Sequence, residues 1–472
     1  MPRVIERDLG VHKTRQIQKE SVGKESVLLS SVALNSITIL GVLFSLVYIP
    51  FSANIIAFAC LIMSFLGPEK WVKSVALLIF VRFFNPALSG PLLFEIGVFH
   101  WLLLFVSAVS YSPRAIFQDY GKFIPLFLFS TMAAFLSCFT SSAFSISILK
   151  LVSFCLGSVA ALSAFYLMSR AQIRSTLVWL FTLWVCVVMG SLFVFLKPSA
   201  AYYVNGTGFQ GLLAHPQAFA SLLSPLAAFL AGKIIFGRNG IFSVYTLVLA
   251  IVVFLQISSK GRGAFLSFVL SVVLVYLFLQ MPVIQKKVKD LTSFNLKVFG
   301  IAVLVISSLV LYQPAQNIVK DFVYKRESND IEEAFSSRSG GYTDQFQNFL
   351  DSPIVGHGFG VYPGPNPSKS VTYLMGIPIS APVEKGFVVT AVLEETGVFG
   401  GVLFVFIVVS LAKSVLRSNR PEWFCVFLAC MLNNISEAVF FSTAGMGMFY
   451  WLLFGLGGVV YKLQDNEGQY FR

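Results

Sequence analysis

Charged residues are scarce in this sequence. Asp, Glu, Lys and Arg make up 12% of the 472 residues, whereas hydrophobic residues make up 56%. A soluble globular domain carries roughly 25% charged residues. This deficit excludes an ordinary soluble protein, and the composition predicts a polytopic membrane protein.

Features typical of several other protein classes are missing as well. The six cysteines lie inside predicted membrane spans at spacings unlike those of metal sites, so we interpret them as small packing residues. No acidic cluster suggests a bound divalent ion. The first 26 residues are polar and of mixed charge, without the apolar core of a removable signal peptide, and they predict a cytoplasmic tail.

Apolar runs recur along almost the whole chain. Each is about 17 to 25 residues long, enough to cross ~30 Å of hydrocarbon. The predicted spans are 27–48, 51–67, 71–88, 92–111, 123–141, 144–168, 174–196, 213–235, 241–257, 263–281, 295–313, 386–412, 421–440 and 446–462. We therefore expect an all-α polytopic membrane protein with about 12–14 transmembrane helices.

One long outer loop interrupts this series of tight turns. The predicted parts are a cytoplasmic tail (1–26), a transmembrane bundle (27–313), the outer loop (314–385), C-terminal transmembrane helices (386–462) and a cytoplasmic tail (463–472). A loop of this length within a compact bundle is more often functional than connective. We expect it to contain short helices and functional elements.

Lys and Arg in the short loops predict the orientation, since such loops stay on the cytoplasmic side. With the N-terminus inside, the inner loops hold, for example, Arg170, Arg174, Lys286, Lys287 and Lys289. The net charge of +12 is therefore mostly a topology signal, and it requires no nucleic-acid partner.

The stretch SSKGRGAF contradicts this bias, because it places Lys260 and Arg262 on the outer side. Gly261 and Gly263 free the backbone for a close approach, and arginine offers a planar fork of donors that suits phosphate oxygens. Two interpretations remain open. The cations bind an anionic ligand at the outer surface, or they pair with lipid phosphates or an acidic loop residue.

Further ionisable residues collect at the same depth as these two cations. They are Arg82, Glu95, Lys150, Lys197 and Glu437, each of which is expensive in hydrocarbon without a partner or water. Arg82 and Glu95 are candidates to pair across a hairpin. Together the positions suggest a hydrated cavity that opens outward.

Two histidines and one loop arginine complete the candidates. His215, followed by Pro216, is predicted at an outer helix N-terminus, where anions are favoured; a capping or packing role is the alternative. In the outer loop, Arg338 precedes a predicted amphipathic helix and a glycine-rich turn that contains His357. That turn lacks the strand-then-helix context of a nucleotide fingerprint, so we reject dinucleotide binding.

Three motifs in order resemble the bacterial O-antigen ligase and O-antigen polymerase superfamily. SSKGRGAFL resembles its SRGA-type motif, with Arg262 as the arginine. The segment from Arg338 to the turn DSPIVGHG has the spacing of the family's loop. EKGFVVTAVLEETGVFGG resembles its membrane re-entering segment, with Glu395 in E-T-G-x-x-G, and GFQGLLAHPQAFASLL, with His215, is similar to a further segment.

The resemblance implies transfer of a glycan from undecaprenyl diphosphate on the periplasmic face of the inner membrane. It implies a metal-independent enzyme without a cofactor, whose partners are the lipid-linked oligosaccharide, a glycan acceptor, the bilayer and a chain-length regulator. The implied diphosphate-binding residues are Arg262, Arg338, Lys260 and Lys385, and the implied catalytic residues are Arg262, Arg338, Glu395, His215 and His357.

One departure from the family pattern favours a polymerase over a ligase. Ligases usually begin the third motif with His-Asn, whereas Gly386 and Phe387 stand there in this chain. A ligase that transfers the glycan to lipid A core remains the alternative. A flippase or transporter would also explain an outward cationic cavity, but it accounts poorly for the long loop and for the lack of an obvious internal repeat. A non-catalytic scaffold would need no cations against the orientation bias.

Overall fold

The computed structural model describes residues 29–237, 243–280, 343–363, 371–374, 377–381, 385–443 and 445–466. The predicted N-terminal tail, the predicted span 295–313 and Arg338 lie outside these ranges. The predicted outer loop is described only in part.

Helices make up most of the described chain. They are α1 (Leu29–Tyr48), α2 (Ser52–Ser64), α3 (Pro68–Arg82), α4 (Ile96–Ser110), α5 (Ser112–Gln118), α6 (Ile124–Thr140), α7 (Phe144–Leu167), α8 (Arg170–Val194), α9 (Pro198–Ala201), α10 (Pro216–Phe236), α11 (Val244–Ser258), α12 (Arg262–Gln280), α13 (343–351), α14 (Val388–Leu416), α15 (Pro421–Asn433) and α16 (Met446–Val459). Tyr120–Lys122 and Val460–Asn466 are 3-10 helices, and β1 (Thr372–Leu374) and β2 (Ile377–Ser380) form an antiparallel hairpin.

The all-α polytopic membrane class is confirmed. Within the described ranges, seven helices are long and apolar enough to cross a membrane, or up to eight if α4 and α5, which meet at 45°, form one bent span. α2, α6, α11 and α15 are apolar but shorter. The predicted total of about 12–14 spans therefore stays a prediction.

Two parallel helices, α10 and α12, and the antiparallel α15 define the two ends of the bundle. α10 and α15 are joined near one end by an ion pair between Lys233 and Glu422, at 2.9 Å, and further along by a hydrogen bond from Asn433 Nδ2 to Ser221 Oγ, at 3.0 Å. α12 runs in the same direction as α10, because Gly261, just before α12, packs against Ala220 near the start of α10, and Phe278 near the end of α12 lies 5.5 Å, between ring centroids, from Phe424 near the start of α15. The N-termini of α10 and α12 and the C-terminus of α15 therefore lie at one end of the bundle, which we call the upper end. The end with Lys233 is the lower end.

α14 begins at the upper end as well. Val388 N donates to Asn434 O, at 3.0 Å, and Ala438 N donates to Lys385 O, at 3.2 Å. These bonds tie the start of α14 to the segment that follows α15. The segment that follows α15 therefore holds Lys385 at the same end as Arg262.

α15 is shorter than the predicted span 421–440, and an asparagine accounts for the difference. Asn434 Nδ2 donates to Cys430 O, and its Oδ1 accepts from Phe440 N, both at 2.7 Å. The side chain thus satisfies a carbonyl of the last helical turn and the backbone that returns over it. The chain then crosses the upper end irregularly before α16 begins.

A proline inside α10 is compensated by a neighbouring tyrosine. Pro225 has no N–H to donate to Ser221 O, and Tyr450 Oη donates to that carbonyl instead, at 3.0 Å. Asn433 Nδ2 donates in turn to Tyr450 Oη, at 2.8 Å. In an apolar interior every such backbone group requires a partner, so this contact joins α10, α15 and the almost fully buried α16.

Candidate functional site

α14 is broken at Gly397, where the predicted span 386–412 was continuous. Gly397 has φ 62° and ψ −164°, a left-handed conformation that interrupts the helix. In an uninterrupted helix, Glu394 O would accept from Val398 N. The break frees the carbonyls of Glu394 and Glu395, and it frees the amide of Val398.

A loop segment supplies the partners that the broken helix lacks. We call residues 353–360 the docked turn. His357 N donates to Glu394 O, at 2.9 Å, and Gly358 N donates to Glu395 O, at 3.0 Å, while Val398 N donates to Pro353 O, at 2.9 Å. The docked turn therefore completes the backbone hydrogen bonding of the break.

The approach is close enough to require glycine on both sides. A Cβ added to Gly397 would lie 2.2 Å from Ile354 O, and a Cβ added to Gly356, whose φ is 68°, would lie 2.4 Å from the carbonyl carbon of Glu395. Neither distance is possible for real atoms. These two glycines belong to the separate sequence motifs DSPIVGHG and E-T-G-x-x-G. In the structure the two motifs contact each other.

Three buried charges lie at this contact. Lys385 Nζ is 2.7 Å from Glu394 Oε2 and 3.0 Å from Glu395 Oε1, and the three side chains are 4%, 2% and 7% exposed. Charges buried to this degree are stable only when paired and hydrogen-bonded. One lysine serves two carboxylates, so the cluster carries a formal charge of −1.

The carboxylates keep Lys385 charged. Burial lowers the pKa of Lys385, but the charges of Glu395 and Glu394 and their hydrogen bonds raise it by more, so the pKa lies above its ordinary value. A lysine with a raised pKa stabilises the fold at all lower pH values and loses that contribution only in strong alkali. The predicted contact of Lys385 with a diphosphate stays a prediction.

α13 connects this cluster to the imidazole of His357. Asn348 Nδ2 donates to Glu394 Oε1, at 2.7 Å, and the main-chain oxygen of Asn348 is 2.8 Å from His357 Nε2. A carbonyl oxygen only accepts, so Nε2 carries the proton and Nδ1 holds the lone pair in the neutral ring. The half-buried His357 therefore has its tautomer fixed by the backbone.

Lys150 of α7 holds the far end of the docked turn. Its Nζ donates to Gly360 O, and it is close enough to Glu395 and Lys385 for their charges to interact. Next to it, Phe359 N donates to Ser137 Oγ of α6, at 2.9 Å. The docked turn is thus fixed to α6, α7, α13 and α14.

Arg262 and Lys260 lie at the upper end on a different pair of helices. Lys260 is exposed and has φ 54°, an uncommon conformation for a residue other than glycine, and Arg262 N donates to Lys260 O, at 3.1 Å. Gly261 packs against α10, where an added Cβ would lie 2.1 Å from the Cβ of Ala220. The turn presents Arg262 as the first residue of α12, at the positive end of a helix of 19 residues.

His215 caps α10. Its Nδ1 accepts from Gln217 N, at 3.2 Å, so the capping interpretation fits the geometry. The structure therefore brings Glu395, Lys385 and His357 together, and it places Arg262 and His215 at the same end of the bundle on α12 and α10.

Sequence reasoning gave no role at this site to three residues that the structure places around the docked turn. Glu394 had a detectable signal, because two adjacent acidic residues in an apolar run require a cation nearby. Lys150 was recognised only as a polar residue at the same depth. Asn348 had no signal, since its two contacts join segments that are 9 and 46 residues apart.

Among the described residues, no group of three or more His, Cys, Asp or Glu side chains is arranged to hold a metal ion. No protein-family model matches the sequence, and no curated protein matches it. The resemblance to the O-antigen superfamily therefore depends on the three motifs alone.

Proposed function

We propose that the protein is a polysaccharide polymerase of the bacterial inner membrane. It transfers a glycan from undecaprenyl diphosphate to a hydroxyl of another lipid-linked repeat at the upper end, which faces the periplasm. The observation that carries this proposal is the docked turn, which holds a histidine in one tautomer beside a buried charge cluster, at the end of the bundle that carries Arg262.

The reaction needs a base and a stabilised leaving group. The acceptor hydroxyl oxygen bonds to the anomeric carbon while its proton passes to a base. The bond from that carbon to the phosphate oxygen breaks, and undecaprenyl diphosphate leaves with the electron pair. Fixed cations at the departing diphosphate stabilise this charge.

His357 is the best of the three candidate bases. Glu395 is buried and paired with Lys385, and Nδ1 of His215 accepts a backbone hydrogen bond in its cap. His357 donates through Nε2 to a backbone carbonyl, which leaves the lone pair of Nδ1 to accept a proton. A base oriented in this way resembles the histidine of a catalytic triad, which a third group also holds in one tautomer.

Arg262 is the cation for the diphosphate. It is half-buried at a helix N-terminus, where the helix dipole adds to its own charge, and its donors match two phosphate oxygens at once. The exposed Lys260 lies two residues before it and supports the same anion.

The first test compares envelope glycans on gels from cells that lack this protein and are complemented with wild type or Arg262→Gln at matched expression. The matched control is Arg114→Gln, an exposed arginine of α5 away from the proposed site. We expect Arg262→Gln to leave single repeats on lipid A core and the control to restore long chains. Long chains that accumulate on the undecaprenyl carrier would indicate a ligase, and unchanged chains would refute the proposal.

The second test addresses the base. Full-length protein is mixed with a purified undecaprenyl-diphosphate-linked repeat, and elongation is followed by mass spectrometry. His357→Gln should slow elongation by about 10²–10⁴-fold, the usual contribution of a general base, while the size-exclusion profile stays unchanged. A folded His357→Gln protein with the wild-type rate would assign the base elsewhere.

A further inference from the structure

The length of α14 below its break places the break near the upper boundary of the hydrocarbon core. Residues 398–416, the part below the break, extend over ~28 Å at ~1.5 Å per residue. That length matches the ~30 Å of a bilayer's hydrocarbon, so this part alone suffices to cross it. The docked turn and α13 contact α14 at and above the break. They therefore lie at the level where hydrocarbon gives way to the lipid headgroups.

α13 turns a polar face toward the protein. Gln345 Oε1 accepts from Thr390 Oγ1, at 2.6 Å, and Asn348 Nδ2 donates to Glu394 Oε1, at 2.7 Å. Both partners belong to the part of α14 above the break. A helix that packs on a protein from water buries its apolar face instead, so the polarity of α13 is reversed.

The apolar face of α13 is exposed and continues onto α14. Phe346 and Leu350, one helical turn apart, are each 51% exposed, and Ile354, in the docked turn, is 60% exposed. Pro353 O accepts from Val398 N, at 2.9 Å, which places Ile354 beside the start of the lower part of α14. Val398 is itself 49% exposed. Since exposed apolar side chains of a membrane-spanning helix contact lipid, the face of α13 extends a lipid-facing surface.

The third face of α13 is polar and exposed. Asp344, Gln347 and Asp351 recur at the three- and four-residue spacing of one helix face. Gln347 Nε2 donates to Asp351 Oδ1, at 3.3 Å. A helix with one exposed apolar face and one exposed polar face is typical of the membrane interface, where the first meets hydrocarbon and the second meets water.

We propose that α13 lies in the lipid–water boundary at the upper end, and that Phe346, Leu350 and Ile354 contact the acyl chains of the bilayer. Acyl chains are the occupant that fits, because the surface continues the lipid-facing side of α14. The contact does not depend on the proposed glycan transfer. For that reaction it means that His357, fixed to α13 through Asn348 O, is held at the depth of the headgroup layer, where the diphosphate of a lipid carrier lies.

Photolabelling of the full-length protein in a bilayer tests this directly. The protein is reconstituted in phosphatidylcholine vesicles in which a small fraction of the lipid carries a diazirine in the acyl chain, and mass spectrometry of the digested protein locates the adducts. We expect the apolar face of α13 to be labelled as strongly as Val402 of α14, which is 51% exposed. Gln347 and Asp351 should be labelled at least about tenfold less, since an apolar side chain favours hydrocarbon over water by about that factor. Labelling of α14 without α13, or equal labelling of both exposed faces of α13, would overturn the proposal.

Two variants of α13 introduce the same charge on different faces. Leu350→Asp should reduce the labelling of Phe346 and Ile354 several-fold, because a carboxylate is costly in hydrocarbon. Gln347→Asp, on the polar face, is the matched control and should leave that labelling unchanged. Labelling of Val402 shows that each variant still spans the membrane. Unchanged labelling in Leu350→Asp would refute the contact, and if that variant fails to fold, the wild-type pattern decides alone. The labelling needs no glycan substrate, so a failed elongation assay leaves its outcome unaffected.

Discussion

Two ion pairs of equal length allow the role of burial to be measured. Lys385 and Glu394 are 2.7 Å apart with side chains 4% and 2% exposed. Lys122 and Asp119 are also 2.7 Å apart, but their side chains are 39% and 34% exposed. We predict that Lys385→Met strongly destabilises the protein, whereas Lys122→Met has almost no effect.

The expected magnitudes follow from what each substitution leaves behind. Removing one partner of a buried pair costs about 3–5 kcal/mol, because the other charge stays buried without compensation. An exposed pair contributes about 0–1 kcal/mol. Lys385→Met also leaves the carboxylate of Glu395, 3.0 Å from Nζ, but Lys150 is close enough to interact with that charge, so the cost should stay within this range. The two variants should therefore differ by at least about 2 kcal/mol.

The assay is unfolding of the full-length protein in detergent, by denaturant and by heat, for the two variants and for Lys385→Met combined with Glu394→Gln. The double variant should be more stable than Lys385→Met alone, since it neutralises one of the two stranded carboxylates. If Lys385→Met unfolds at the same denaturant concentration and temperature as Lys122→Met, the buried cluster does not stabilise the protein as the structure indicates. If the double variant is less stable than Lys385→Met alone, uncompensated charge is not the cause of the destabilisation.

The pH dependence supplies an independent check. In wild type the raised pKa of Lys385 keeps its charge constant between about pH 5 and 8. Folded Lys385→Met should take up a proton in place of the missing ammonium as the pH falls, which the unfolded chain does not do at the same pH. The difference in the free energy of unfolding between wild type and Lys385→Met should therefore narrow from pH 8 to pH 5. A difference that widens would contradict this account.

Two further predictions concern backbone positions. Gly397→Ala should cost about 1–3 kcal/mol or more, because the φ of Gly397 is 62° and an added Cβ would meet the docked turn. The same variant should lose the proposed glycan elongation. Gly41→Ala, at a helical glycine with open space around it, should unfold like wild type. Tyr450→Phe should cost about 1–3 kcal/mol in the same unfolding assay, since it leaves the carbonyl of Ser221 unpaired beside Pro225; a wild-type unfolding curve would mean that another group satisfies that carbonyl.

The sequence predicts the helices better than their ends. Most described helices fall within a few residues of a predicted span, because long apolar runs have few alternatives in a membrane. The predicted end of α15 was wrong by seven residues, 440 instead of 433, because hydropathy contains no information on the hydrogen bonds of Asn434. The break at Gly397 was missed for a similar reason, since glycine is frequent in membrane helices and only the contact with residues 353–360 explains it.

The site was partly predictable for a different reason. Glycines and charges in an apolar chain are conspicuous, so His357, Glu395 and Lys385 were already candidates from the sequence. Asn348 was not found, because an asparagine in a polar helix is ordinary until its neighbours are known. Contacts such as Lys150 to Gly360, which are 210 residues apart, depend on the packing of α7 and have no local signal.

The helix break and the docked turn are best understood as one unit. A break in an apolar interior leaves unpaired carbonyls, which is expensive unless other backbone groups bond to them. The docked turn supplies those donors, and the same turn carries His357, so the bond from His357 N to Glu394 O fixes the backbone while Asn348 O fixes the ring. In the proposed reaction, a base held at both points would need little reorganisation when the substrate arrives, which is the condition for efficient proton transfer in a preorganised site. The strain at Gly397 is thus coupled to the position of the His357 imidazole through the docked turn.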